Sequence, residues 1–154
     1  MAPPVVSEPG WTPVQPFPSL DSQSFLAANP TGESVRIAYF RGPAPGVLYA
    51  KAWFGRETQG PPGHVHGGAM AAVLDEAMGG VSWMNGHRTV AAKIAVSFLE
   101  MLKLESETTI EAWIERIDGR KVYLRAKMSA AGGSPIAESD GLFIVLKDET
   151  LKSL

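Results

Sequence analysis

The apolar residues along this chain recur with two different periods, and the change of period predicts the elements. From Gly68 to Met84 they follow one another almost without interruption, which favours one long buried helix. After it, three runs alternate apolar and polar residues, which is typical of antiparallel strands with one covered face. Their apolar sets are Ile94, Val96 and Phe98, then Ile110, Ala112 and Ile114, then Val122, Leu124, Ala126 and Met128.

Shorter runs complete the predicted sheet. "VRIAYF" and "GVLYAKAWF" indicate two strands before the helix, separated by the turn signal "RGPAPG", and "PIAESDGLFIVLK" indicates a last strand. The order is therefore two strands, one helix and an antiparallel meander. A helix that is apolar nearly all round must be covered, so we predict an α+β fold in which a curved antiparallel sheet wraps around it.

The hairpin at "RIDGRK" has two possible registers. A two-residue turn would put the apolar sets of its two strands on opposite faces of the sheet. A three-residue loop, 117–119, pairs Ile114 with Val122 and puts its glycine in the left-handed position of a G1 bulge. We favour the loop, which also sets Arg116 opposite Arg120.

The N-terminal segment has a composition of its own. Residues 1–20 hold six of the twelve prolines, which predicts an extended arm that is ordered only where something docks it. We expect the remaining residues, 21–154, to form one domain. Its first stretch, "SLDSQSFLAANP", is expected to form a short helix with Asp21 or Ser22 as N-cap.

Composition excludes several classes of protein. The 154 residues are 45% hydrophobic and 19% charged, as in a globular domain. A net charge of −2 with dispersed basic residues argues against nucleic acid or a membrane surface as the main partner. The absence of cysteine excludes disulfides, thiolate zinc sites and a cysteine nucleophile. No spanning segment and no targeting signal is recognisable, so we expect a cytoplasmic protein.

The predicted helix carries two carboxylates and begins with two glycines. Asp75 has only small or apolar neighbours one turn away on its face of the helix, so its pKa is expected to be raised, either for function or at an interface. Glu76 lies about 100° further round and is expected to be solvated or at an interface. The first N–H groups, at Gly67 and Gly68, are suited to bind an oxyanion or a carbonyl oxygen.

The histidines before the helix allow an alternative hypothesis, in which they bind a metal ion. His64 and His66 are two residues apart and, in an extended segment, point the same way, so that Asp75 or Glu76 would complete the ligand set. No second histidine pair is suitably spaced. We therefore predict no metal, and a histidine that fixes the turn by hydrogen bonds.

The segment "GPPGHVHGGAMAAVLDEAMG" resembles the helix entry of the hotdog-fold acyl-CoA thioesterases, a family that carries HGG, six mostly apolar residues and then Asp or Glu. Here the motif runs from His66 to Asp75. "GPPG", "IDGRK" and "AESDGLFIVLK" resemble the PaaI-like branch that contains the human thioesterase superfamily members four and five. The resemblance covers residues 35–147. It implies a hotdog fold, with five to six antiparallel strands around one long central helix.

The resemblance also implies an activity and its residues. The chain would hydrolyse an acyl-CoA thioester, with coenzyme A present only as part of the substrate and no other cofactor. The Gly67 N–H, assisted by Gly68, would polarise the carbonyl, and His66 would position the thioester or the turn. Asp75 of a neighbouring subunit would act as general base or as nucleophile. The implied assembly is a homodimer or homotetramer with its active sites at the subunit interface.

The same resemblance implies further substrate-binding residues. In this branch a Ser or Thr, sixteen positions after the acid, holds the attacking water, and here that position is Ala91. Thr89, two residues earlier, would share its face in a strand and is the expected substitute. Arg116, Arg120 and Lys121 form a candidate cluster for the phosphates of CoA, although the same charges suit a solvated loop equally well.

Three hypotheses follow. The first is an acyl-CoA thioesterase that depends on Asp75. The second, suggested by Ala91, is a hotdog protein that binds acyl-CoA without turnover. The third is a hydratase or dehydratase on the same fold, which would carry a different motif that this sequence lacks.

Overall fold

The computed structural model describes residues 5–18, 25–27 and 29–153. One long helix, α1, spans Gly67–Met84, and a short one, α2, spans Asp148–Leu151. The strands are β1 (Thr12–Pro13), β2 (Val35–Arg41), β3 (Leu48–Phe54), β4 (Thr89–Phe98), β5 (Ser106–Asp118), β6 (Lys121–Ala130) and β7 (Pro135–Val145). A 3₁₀ turn at Arg56–Thr58 leads towards α1.

All the strands join one antiparallel sheet in the order β1-β2-β3-β5-β6-β7-β4. The helix α1 packs mainly against five of them, β3 to β7, so the arrangement is the predicted one of a single helix against one sheet. Six strands are long, and the two-residue β1 adds a seventh that the sequence analysis treated as part of the arm. Within the described residues no helix is both long and apolar enough to cross a membrane.

The core lies between α1 and the sheet and follows the predicted alternation. On β5 and β6, Ile110 is opposite Met128 and Ile114 is opposite Leu124, and these side chains are largely shielded from water. The helix supplies the matching apolar surface, since half of its residues are buried. The largest fully buried side chains include Leu74, Met78, Ile110, Leu124 and Met128.

The register predicted for the β5–β6 hairpin is wrong in detail. Asp118 pairs with Lys121, so the turn has two residues, and the extra residue is a bulge next to Ile114. The bulge keeps both apolar sets on one face, which the three-residue loop had been invoked to explain. Arg116 consequently lies opposite Tyr123 and not opposite Arg120. Gly119 does take a left-handed conformation, with φ of 59°.

The described part of the N-terminal segment docks on the domain. The Trp11 ring lies 5.4 Å from that of Phe40 and 4.9 Å from that of Tyr49, on strands β2 and β3. Further along, the Phe17 ring lies 6.0 Å from that of Trp83 on α1. The segment therefore crosses from the sheet to the helix. The division at residue 20 remains a prediction.

The short helix expected over residues 19–30 falls largely outside the described residues. Of that stretch, Phe25–Ala27 form a turn.

Strand β4 leaves an apolar edge. It pairs only with β7 among the described strands, so its other edge has no partner there. Large apolar side chains on or just after β4 are about half exposed: Val90, Phe98, Leu99 and Met101. A long edge strand of this kind is a template for pairing with another chain.

Candidate active site

The loop before α1 fixes its first residues tightly. The His66 N–H donates to the Thr58 carbonyl at 2.7 Å, and the His66 carbonyl accepts from the Ala69 N–H at 3.0 Å. The His66 side chain caps the helix, because its Nδ1 accepts from the Gly68 N–H at 2.8 Å. The neutral ring then carries its proton on Nε2, which leaves an N–H donor at the helix entrance. The predicted role of His66 in fixing the turn is thus observed directly.

The Gly67 N–H points out of the helix end. In the part of the chain that the structure describes, it has no hydrogen-bond acceptor, whereas the Gly68 N–H is taken by His66. Gly67 also borders a cavity of about 280 Å³ formed with Met70 and the segment Phe98–Met101. A Cβ at Gly67 would lie 3.2 Å from the Phe98 ring, so the absence of a side chain keeps this approach open. The arrangement can bind an oxyanion or a carbonyl oxygen.

Asp75 lies two turns further along α1 and is half-buried. No Lys, Arg or His pairs with it among the described residues. Burial raises the pKa of its carboxyl above the usual value of 3.8. It lies eight positions after Gly67, which is about 12 Å along a helix axis, so the two groups of one chain do not meet on one carbonyl.

Glu76 is half-buried rather than solvated, which corrects one of the two expectations for it. It faces Tyr39 of β2, whose hydroxyl oxygen is buried and has no hydrogen bond of ordinary geometry in the described residues. Burial raises the pKa of the Tyr39 hydroxyl well above its usual value, and the Glu76 carboxylate raises it further. Burial also raises the pKa of Glu76, against the lowering effect of the tyrosine hydroxyl.

Neither Thr89 nor Ala91 provides a free hydroxyl that could hold the attacking water. Thr89 is buried, and its hydroxyl donates to the Ser82 Oγ on α1 at 2.9 Å. The Ser82 hydroxyl in turn donates to the His87 carbonyl at 3.0 Å, so the chain of hydrogen bonds ties β4 to the end of α1. Ala91 is exposed and opposite Phe143, next to a bulge in β4. The Thr89 hydroxyl is therefore used in a contact within the fold.

The three basic residues of the predicted phosphate cluster all lie at the exposed β5–β6 hairpin. The Arg116 guanidinium stacks 3.7 Å from the Tyr123 ring centre. The Arg120 Nε donates to the Val145 carbonyl at 3.1 Å, and Lys121 is opposite Asp118. All three charges therefore lie on one exposed hairpin.

The His64 side chain contacts the backbone of its own loop. Its Nδ1 lies 2.9 Å from the Pro62 carbonyl oxygen. No group of three or more metal-ligating side chains occurs within the described ranges.

The polar contact of Tyr39 with Glu76 was not predicted from the sequence. A signal existed, because Val35, Ile37 and Tyr39 alternate along β2 and all pack towards the core. The inward alternation of this strand places the tyrosine on the helix side. The partner on α1 was not predictable, since it depends on how the helix is rotated against β2.

Known proteins share this fold and sequence pattern. A family model described as "Thioesterase superfamily" matches residues 62–137. Acyl-coenzyme A thioesterase THEM4 of Bos taurus is 33% identical over 92 residues, which cover 59% of this chain and 38% of that protein. Acyl-coenzyme A thioesterase THEM5 of Homo sapiens is 25% identical over 96 residues, covering 62% and 39%. The chain thus spans about two fifths of the length of these relatives.

Solved structures agree on the fold. A hypothetical thioesterase protein with coenzyme A from Streptococcus pneumoniae superposes with a TM-score of 0.66 at 17% identity, over 74% of this chain and 87% of that one. The family model and the named relatives show that the chain is similar to the thioesterase superfamily, and the shared architecture shows that it has the hotdog fold.

Proposed function

We propose that this chain is an acyl-CoA thioester hydrolase whose active site is shared by two copies. The observation that carries the proposal is the Gly67 N–H, which lies at the positive end of α1, has no acceptor in the described residues and borders a cavity. Such a donor lowers the energy of the tetrahedral intermediate, in which the thioester carbonyl oxygen becomes an anion. The curated relatives named as acyl-coenzyme A thioesterases support the same activity.

The reaction needs a group that delivers water to the carbonyl carbon. Asp75 of the partner subunit would remove a proton from water as the new C–O bond forms, and would return that proton to the CoA sulfur as the C–S bond breaks. The products are the free acid and CoA thiol. In the alternative route, the carboxylate attacks the carbonyl carbon and CoA leaves as its thiolate when the C–S bond breaks. Water then cleaves the resulting anhydride, which restores the carboxylate and releases the proton that the CoA thiolate takes up. Both routes require an ionised Asp75.

A shared site follows from the distance along α1. Since Gly67 and Asp75 of one chain lie about 12 Å apart, the carboxylate that meets a given Gly67 has to come from another copy. The unpaired edge of β4 and its exposed apolar side chains supply a surface where two copies can join. We propose a homodimer by this edge, and a homotetramer would contain the same pair.

Coenzyme A recognition is proposed for the β5–β6 hairpin. The Streptococcus pneumoniae protein of the same fold was solved with coenzyme A. Lys121 and the guanidinium groups of Arg116 and Arg120 lie exposed at the hairpin tip, where phosphates can reach them. The stacking of Arg116 on Tyr123 holds its guanidinium flat and leaves its edge free for a bidentate contact.

One observation favours a second function. Ala91 has no hydroxyl, and the hydroxyl of Thr89 is hydrogen-bonded to Ser82. Without a hydroxyl to hold the attacking water, the chain would bind acyl-CoA and not hydrolyse it.

The two functions are separated by measuring thiol release from a panel of acyl-CoAs. We expect turnover by the wild type and a loss of at least about 100-fold in kcat for Asp75→Asn, because the amide cannot accept a proton. Asp140→Asn, at an exposed position on β7, is the matched control and should keep full activity. The chain has no cysteine, so all detected thiol comes from CoA. Acyl-CoA binding without thiol release by the wild type would support the second function.

A further inference from the structure

A second and larger cavity lies beside α1 and shares no described lining residue with the cavity at Gly67. It has a volume of about 580 Å³ and is bounded by the arm at Pro13–Phe17, by residues 37–40 of β2 and by Glu76. It begins where the arm leaves the sheet, since the last contact of the arm with β2 is a hydrogen bond from the Val14 N–H to the Tyr39 carbonyl at 3.0 Å. The volume is in the range of small-molecule sites.

The wall of this cavity is mostly apolar. Its apolar part is formed by Val14, Pro16, Phe17 and Ile37, together with the ring of Tyr39. Two polar side chains join it, the exposed Gln15 on the arm and the half-buried Glu76 on α1. The Tyr39 hydroxyl is engaged with the Glu76 carboxylate. Glu76 is therefore the one charged side chain in the described wall.

The negative charge of Glu76 has no basic partner in the elements around the cavity. No Lys, Arg or His occurs in residues 1–35 or in α1, so neither the arm nor the helix can supply one. On β2, Arg36 stacks on the Trp53 ring and Arg41 is exposed, and neither lines the cavity. No ion pair joins Glu76 to another described residue. The cavity is thus an apolar space with one uncompensated negative charge.

An aromatic ring lies one turn along α1 from Glu76. Glu76, Gly79 and Trp83 are spaced by three and four residues and share one face of the helix. Phe17 packs on that face, since its ring comes within 3.7 Å of the Cβ position of Gly79 and lies 6.0 Å from the Trp83 ring. The rings of Phe17 and Tyr39 both border the cavity. Aromatic rings stabilise a cation that lies against their faces.

We propose that this cavity binds a small organic cation with an apolar body, an alkyl ammonium ion, whose charged group pairs with the Glu76 carboxylate. The apolar part of the ligand lies between the arm and β2. A carboxylate accepts several hydrogen bonds, so the Tyr39 hydroxyl keeps its contact when the ligand is bound. A neutral ligand of the same size would leave the charge of Glu76 uncompensated, and an anionic one would be repelled. This site is separate from the one proposed for the thioester.

The preference for a cation is measured by titration calorimetry at pH 7 with three probes of one chain length, hexylammonium, 1-hexanol and hexanoate. We expect hexylammonium to bind at least about tenfold more tightly than either of the others, because only it donates charged hydrogen bonds to Glu76. Glu76→Gln should abolish the difference between hexylammonium and hexanol. Phe17→Leu should weaken hexylammonium binding about threefold, because it removes the aromatic face.

Glu57→Gln is the matched control. Glu57 is an exposed carboxylate outside this cavity, so its substitution should leave the affinity for hexylammonium unchanged. Thermal melting of each variant establishes that it is folded. Equal affinity for the three probes, undiminished binding of hexylammonium by Glu76→Gln, or no binding of hexylammonium by the wild type at millimolar concentration would overturn the site.

The binding experiment is independent of the proposed function. None of the three probes is an ester, so a protein that releases no thiol from any acyl-CoA can still bind hexylammonium through Glu76. Conversely, a protein that hydrolyses acyl-CoA and binds no hexylammonium would lack the cation site and keep the thioesterase function.

Discussion

Asp75 and Glu76 are neighbours on α1 but meet different surroundings. Asp75 has no ion pair with any described residue, and burial alone raises the pKa of its carboxyl. Glu76 lies about 100° round the helix, against the Tyr39 hydroxyl and the large cavity. Side-chain direction on a helix therefore gives two adjacent carboxylates separate surroundings, and only Asp75 is proposed to take part in the chemistry.

The raised pKa of Asp75 predicts a pH-dependent cost in stability. The folded chain holds this proton more tightly than the unfolded chain does, so stability falls as the pH rises from 3.8 to the raised pKa. Asp75→Asn removes the cost, and we expect its Tm at pH 7 to exceed that of the wild type by about 2 °C. The difference should shrink as the pH is lowered towards 3.8.

Differential scanning calorimetry from pH 4 to pH 8, at one protein concentration, measures this difference. Asp140→Asn, exposed on β7, serves as control and should track the wild type. A constant or falling advantage of Asp75→Asn with rising pH would contradict the burial of an ionised carboxyl.

At the scale of elements, the N-terminal arm links the sheet to the helix. The Lys51 Nζ, on β3, lies 2.7 Å from the Glu8 Oε1 and 5.5 Å from the centre of the Trp11 ring. Lys51 itself is buried, so these arm residues are among the groups that compensate its charge. The residues that follow, 13–17, form one wall of the large cavity. Docking of the arm and the shape of the cavity are thus coupled.

Loss of the Trp11 ring should loosen the arm. Trp11→Ala removes the stacking on Phe40 and Tyr49, and we expect the free energy of unfolding to fall by about 2 kcal/mol. Urea denaturation followed by circular dichroism measures it. Phe25→Ala is the matched control, because Phe25 is 87% exposed and its truncation should change stability by less than about 0.5 kcal/mol. Equal effects of the two changes would show that the arm is not held by this ring.

At the scale of the whole molecule, one chain carries both groups of the proposed site, but they lie too far apart to act on the same carbonyl. The donor at Gly67 and the acid at Asp75 are fixed on one rigid helix, so bending within a chain cannot bring them together. Beside the helix entrance lies Phe98, about half exposed at the end of the unpaired β4 edge. Association through β4 would cover this apolar edge and complete two sites at once.

A charge at the β4 edge should weaken the proposed dimer. Phe98→Lys places an ammonium group where we expect the partner's apolar surface, and the dimer dissociation constant should rise at least tenfold. Sedimentation equilibrium at micromolar concentration measures it. Phe25→Lys, a change at another exposed phenylalanine, should leave the constant unaltered. A wild-type chain that is monomeric at these concentrations would rule out the shared site.

Local patterns of apolar residues were sufficient to predict much of this structure. The apolar run of α1 and the alternation on β5 and β6 predicted their elements closely, since each depends on spacing within one segment. The motif from His66 to Asp75 predicted the helix entrance by resemblance. The β5–β6 register was missed because a bulge and a longer loop place the apolar residues on the same face, and side-chain alternation does not distinguish them.

The sequence by itself determined the helix, the antiparallel strands, the inward faces and the position of the two carboxylates on α1, because these follow from periodicity and chain neighbours. Only the tertiary structure decided that Thr89 is bound to Ser82, that Tyr39 faces Glu76, and that the arm closes a cavity against β2. These contacts join residues from different elements. They depend on how the helix is rotated and packed against the sheet, which no single stretch of sequence encodes.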